Sequence, residues 1–185
     1  MAPRGDFELT VDELRLVARY VVQHAEDVLP VFERAAPDDP RPRSAIEAAW
    51  AFVDGAARSR WQRTASLDAH RAARSAPTEA ARLAARCAGD AASAAYLHPI
   101  ARATQVGHIL RAPASAARIA ELAAGDPAAG DALLEEARRR ATPGLVDVLR
   151  RYPPAPSGTS RVARLMSALD HSLRHGPPRT GTSER

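Results

Sequence analysis

Apolar residues recur every three or four positions through most of this 185-residue chain, the period of a helix with one buried face. From Leu14, the positions Val17, Val21, Ala25 and Val28 fall on one side, with Asp12, Arg15, Arg19, Gln23 and Glu26 opposite. Thr10 stands where an N-cap belongs, and Glu13, three residues on, completes a capping box. Pro30 is expected to end or kink this helix near Leu29, with VFERAA adding a further turn or two. SAIEAAWAFVDG predicts a second helix, capped by Ser44, with Ile46, Ala49, Trp50 and Val53 inward and Gly55 as its stop. A third runs roughly over 59–75, through Trp61 and His70, and Thr78 caps a fourth that passes Leu83 and Cys87 toward Leu97. Pro99 and Pro113 bound a fifth; Pro113 also suits the opening of the next, through Ile119 and Leu122. Asp126-Pro127 and Thr142-Pro143 each set a capping residue before proline at the first helical position. After the linker PPAPSGTS, Val162, Leu165, Met166, Leu169 and Leu173 form a last stripe. About seven to nine helices with short connections predict an all-α, single-domain helical bundle over 9–174, with flexible termini at 1–8 and 175–185.

Composition supports helices and removes several chemistries. The chain holds 42 alanines and 26 arginines but no lysine and no asparagine. Alanine and arginine both favour helix, and only 4% of residues are aromatic, which disfavours a sheet. Without lysine there is no phosphate-binding GxxxxGK[ST] loop and no anchor for pyridoxal phosphate. The single Cys87 excludes an internal disulfide and a multi-cysteine zinc site, and reads as a packed small residue. No cofactor is expected. Absence of an apolar signal core and of any long apolar window predicts a cytoplasmic protein with no membrane partner. The net charge of +4 divides unevenly: residues 1–54 carry 6 arginines against 11 acids, and residues 55–185 carry 20 against 11. Two differently charged surfaces follow, either able to meet a partner.

Candidate chemistry concentrates in YLHPIARATQVGHIL, residues 96–110. On a helix, Tyr96, Ile100, Ala103, Gly107 and Leu110 fall together, and His98, Arg102, Gln105 and His108 fall opposite. The second group is either a solvated or partner-facing stripe, or a buried polar network or small-molecule site. Gly107, costly inside a helix, implies a close crossing, so Ile100–Leu110 is expected to be a central helix. As metal ligands, His98 and His108 lack the i, i+4 spacing of helical zinc sites and would need a third ligand from His24, His70 or Glu47; no metal is expected. His24, on the apolar face of the first helix, reads as a hydrogen-bonded core histidine. In RPRSAIEAAW, Arg41 and Arg43 stand at a helix amino end, where the dipole disfavours them. They are either ion-paired with neighbours such as Asp38 and Asp39 or, with Glu47, reach a carboxylate or phosphate on a partner. Arg138-Arg139-Arg140 lacks interleaved aromatics, so sequence-specific nucleic-acid binding is not expected.

LTVDELRLVARYVVQHAEDVLPVFE, DPRPRSAIEAAWAF, LDAHRAAR and AYLHPIARATQVGHIL together resemble the Imm-5-like family, over residues 9 to about 173, with Asp39 to Ala49 the most specific part. The family consists of small all-helical actinobacterial immunity proteins. The resemblance implies a helical protein that neutralises a cognate toxin by binding it, and it transfers no catalytic residue. A rival from another class is a small-molecule enzyme or ligand-binding bundle. There His98 and His108 act as acid and base, and Glu47, Arg41 and Arg43 hold an anionic group.

Overall fold

In the computed structural model, which describes residues 7–176, eight α-helices and no strand are found among the described residues. They are α1 (Val11–Ala35), α2 (Arg41–Val53), α3 (Arg60–Ser75), α4 (Glu79–Ser93), α5 (Gly107–Ala124), α6 (Pro127–Arg140), α7 (Pro143–Arg151) and α8 (Arg161–His175). Two 3-10 turns, Ala94–Tyr96 and Ala103–Val106, join α4 to α5. The bundle is built around α1, α4 and α5, which all pack on one another. Helices α2 and α3 cover α4 on one side, while α6 and α8 cover α5 on the other. Alanine makes this possible. The inner face of α4 is Ala81, Ala84, Ala85, Ala88, Ala91 and Ala92, and such small side chains let helix axes approach closely enough to bury a helix on several sides.

The α1 stripe is buried as its periodicity predicts, and the Thr10–Glu13 capping box forms in both directions. Pro30, however, does not end the helix, which continues to Ala35. Its ring lies on the exposed side beside exposed Glu26, whose carbonyl loses its helical donor at the surface and not in the core. Two residues further on, Phe32 is only 1% exposed, and that burial offsets the missing bond. Helix α2 starts at Arg41, three residues before the expected cap Ser44. Pro40 and Pro42 have φ already set for a first turn, and Asp39 accepts the Arg41 N–H at 3.2 Å.

The predicted central helix from Ile100 to Leu110 is the largest correction. Proline at 99 disfavours helical conformation at His98, and the backbone there finds partners outside any helix. Tyr152 donates its hydroxyl to His98 O at 2.9 Å, Phe7 N–H donates to Pro99 O at 3.1 Å, and His98 N–H donates to Gln105 Oε1 at 3.3 Å. Regular helix resumes at Gly107 and runs through Pro113 to Ala124, so Pro113 bounds nothing. Gly107 marks no close crossing either, since a Cβ there would meet nothing nearer than Arg111 at 3.5 Å. Of the termini expected to be flexible, residues 1–6 and 177–185 lie outside the described residues. Phe7 is tied to the bundle by its N–H bond and by an edge-on contact with Tyr152, centroids 4.9 Å apart.

Candidate functional site

The residues singled out by sequence divide between two places. Arg41 binds Asp39 through two contacts of 2.8 and 2.6 Å, and Arg43 binds Glu33 at 2.6 Å, so both are ion-paired within the chain. Glu47 is exposed on the same helix. Helix α2 packs on α1, α3 and α4, whereas His98, Arg102, Gln105 and His108 belong to the segment entering α5. The two groups are not brought into one site. Within the second group the expected accessible stripe is broken: His98 and Arg102 are exposed, Gln105 is folded back onto the loop it braces, and His108 is half-buried. His24 is buried with its ring edge against Tyr20, but its Nε2 makes no hydrogen bond, contrary to the hydrogen-bonded core histidine expected.

A different cluster does converge. Three helices each contribute one side: His70 and Arg74 from α3, Arg82, Arg86 and Asp90 from α4, and Arg111 from α5. Those on α3 and on α4 are spaced four residues apart along their helix, hence on single faces. The close approach depends on Gly89. A Cβ there would lie 2.8 Å from the His70 ring, and Ser66 Oγ donates to Gly89 O at 2.8 Å across the same crossing. Asp90 lies at the bottom, 2% exposed, held in a two-point fork by Arg111 at 2.8 and 3.0 Å, with His70 Nε2 at 3.8 Å. Bidentate geometry fixes the guanidinium plane as well as its charge.

Above this floor opens a cavity of about 440 Å³ lined by His70, Ala73, Arg74, Arg82, Arg86 and Arg111. A second depression of about 380 Å³ shares Arg82, Arg86 and Arg111 and continues to Leu83, Arg161, Val162 and Met166. The two form one elongated groove along α4. At its far rim Glu79 is bound by Arg118 at 3.1 Å, and buried Glu121 is clamped by Arg118 and Arg161. Those arginines, Arg161 foremost, hold the Glu121 carboxyl below its ordinary value. Arg74, Arg82 and Arg86 are exposed and have no carboxylate within the 4.0 Å ion-pair distance among the described residues.

The titratable groups nearby are tuned by burial and by these cations. Burial and then Arg111 lower the His108 pKa, with Asp90 opposing; the His108 Nδ1 is buried without a partner. His70 is lowered chiefly by burial, against the pull of Asp90. Burial pushes the Cys87 thiol up, and it lies against Ser115 with Ala112 O at 3.6 Å, so it is a packed and unreactive thiol. Among the described residues no three His, Cys, Asp or Glu side chains gather as a metal-ligand set, and no helix is long and apolar enough to cross a membrane. The groove thus offers several arginine side chains to an anion, with an apolar end at Leu83, Val162 and Met166.

Residues 8–142 match the family described as Imm-5 like putative immunity protein. The chain belongs to that family. The match ends before α7, short of the extent to residue 173 expected from sequence, so α7 and α8 lie beyond it. No curated protein and no solved structure matches the chain.

Proposed function

We propose that this Imm-5-like protein acts in the cytoplasm as an immunity protein, binding a cognate toxin domain and neutralising it by occupation, without turning over a substrate. Family membership over residues 8–142 is the observation that carries this reading. The side chains offered for catalysis add to it. Arg41 and Arg43 are engaged by Asp39 and Glu33, away from the imidazoles they would serve. A rigid, ion-paired bundle surface suits docking, where complementary charge sets encounter rate and specificity.

The test is co-expression with a candidate toxin domain sought among the neighbouring genes; a gene with no such neighbour counts against the reading. Restored growth and co-elution of the two chains as a stable complex are expected. If growth is not restored and the purified chains pass through a sizing column separately, the immunity reading fails.

A further inference from the structure

From the groove along α4 we infer that this face takes an acidic segment of a partner polypeptide, its carboxylates seated between Arg74, Arg82, Arg86 and Arg111. The assignment rests on the immunity reading for the partner's identity but not for the chemistry of the groove. Three observations support it.

Charge comes first. Most arginines of the bundle are already satisfied by acids of the same chain, as in Arg41–Asp39, Arg71–Asp68 and Arg140–Asp27. Arg19, Arg34, Arg58, Arg60, Arg63, Arg102, Arg139 and Arg164 also lack an ion-pair partner among the described residues, but none of them lines either depression, and Arg19, Arg58 and Arg63 lie over the rings of Trp50 and Tyr96. Arg74, Arg82 and Arg86 are gathered around one cavity. Like charges four residues apart on a helix, as at 82 and 86, repel, and an incoming anion removes that repulsion.

Preorganisation comes second. Arg111 is anchored by Asp90 through one edge of its guanidinium and lines the cavity. Donors already fixed in place lose little entropy on binding.

Shape is third. Two confluent depressions make a channel too long for one small ion, and the distal one ends on Leu83, Val162 and Met166. An acidic stretch followed by an apolar residue fits this order of charge and then grease. A nucleic acid fits it poorly, because neither depression is lined by a Phe, Tyr or Trp ring, and the His70 imidazole in the first is packed over Gly89 beside Asp90.

The experiment uses the full chain and fluorescein-labelled octaglutamate, followed by anisotropy at low salt, with octaglutamine as the uncharged control. Octaglutamate is expected to bind and octaglutamine not. The double variant Arg82→Glu/Arg86→Glu should weaken binding by at least about tenfold. Arg34→Glu/Arg139→Glu, an equal charge change elsewhere, should stay within about twofold. Circular dichroism confirms the fold of each variant, and Arg82→Gln/Arg86→Gln replaces the first should it fail to fold. Equal weakening by both double variants reduces the effect to net charge and overturns the groove. Inorganic pyrophosphate that binds more tightly than octaglutamate and displaces it overturns the polypeptide in favour of a phosphate ligand. In the co-expression assay, a toxin complex untouched by the α4 double variant removes the groove while leaving immunity intact. Octaglutamate binding with no toxin complex does the reverse.

Discussion

His24 carries the clearest single-residue consequence of the packing. Burial, reinforced by Arg140, lowers its pKa from 6.5 to about 4, with Asp27 opposing. The unfolded chain therefore takes up the proton first. Stability is fully present above about pH 6.5 and falls as pH drops from there to about 4, by up to roughly 3 kcal/mol from this one imidazole. His70 and His108 are shifted in the same direction and add to the loss. Melting temperature should thus decline steeply on acidification through this window, and His24→Leu should flatten the decline. An unchanged pH profile in that variant would place the acid sensitivity elsewhere. Asp90 makes the opposite kind of demand, being charged and buried with Arg111 as its main partner. Arg111→Ala leaves that carboxylate stranded and should cost about 3–5 kcal/mol by chemical denaturation. Arg111→Lys, which keeps the charge but not the fork, should fall in between.

Helix crossings turn on glycines that sequence position alone does not reveal. Gly107 stands in a polar-apolar stripe, yet a Cβ there would make only ordinary contact with the Arg111 guanidinium. Gly130 on α6 is the tight one. A Cβ there would come within 2.6 Å of Glu121, whose carboxylate Arg118 and Arg161 hold in place. Gly130→Ala should accordingly destabilise by roughly 1–3 kcal/mol despite alanine's better helix propensity, whereas Gly107→Ala should be neutral or mildly stabilising. Thermal melts of the pair decide it; a stabilised Gly130→Ala would mean that α6 shifts freely. The contrast marks what was legible. Caps at Thr10, Thr78, Asp126 and Thr142 depend on residues two or three positions away, and the stripes of α1 and α8 follow from spacing. The stretch from His98 to Val106 was misread because its backbone is settled by Phe7 and Tyr152, remote in sequence. For the groove, the spacings 70/74 and 82/86 are absent from the sequence candidates, though each is legible as one helical face. That α3, α4 and α5 turn those faces toward one another is not, since it follows from the alanine faces and Gly89 letting the helices close.

The bundle as a whole closes only when its last two helices are in place. Helix α8 lies against α5, α6 and α7 and buries Leu165, Met166, Leu169 and Leu173. Its Arg161 clamps Glu121, and Arg174 donates to the carbonyls of Leu149, Tyr152 and Pro153 while binding Asp170 at 2.7 Å. Tyr152, at the end of α7, is fully buried and holds the His98 loop. Arg151 reaches back to Glu8 O and Glu13, linking the end of α7 to the start of α1. The contacts of Arg161, Tyr152 and Arg151 satisfy polar groups on the part of the chain that matches the family, and those of Arg174 lock α8 to the end of α7. A chain cut after Thr142 would expose the α5 face beneath α8, leave Glu121 with Arg118 alone, and release the loop before α5. Such a fragment should melt well below the full chain or aggregate, with the loss exceeding that of any single variant above. Chemical denaturation of residues 1–142 beside the intact protein measures this directly. A fragment as stable as the parent would make α7 and α8 an appendage, and the arginine clamps at Glu121 and Asp170 merely decorative.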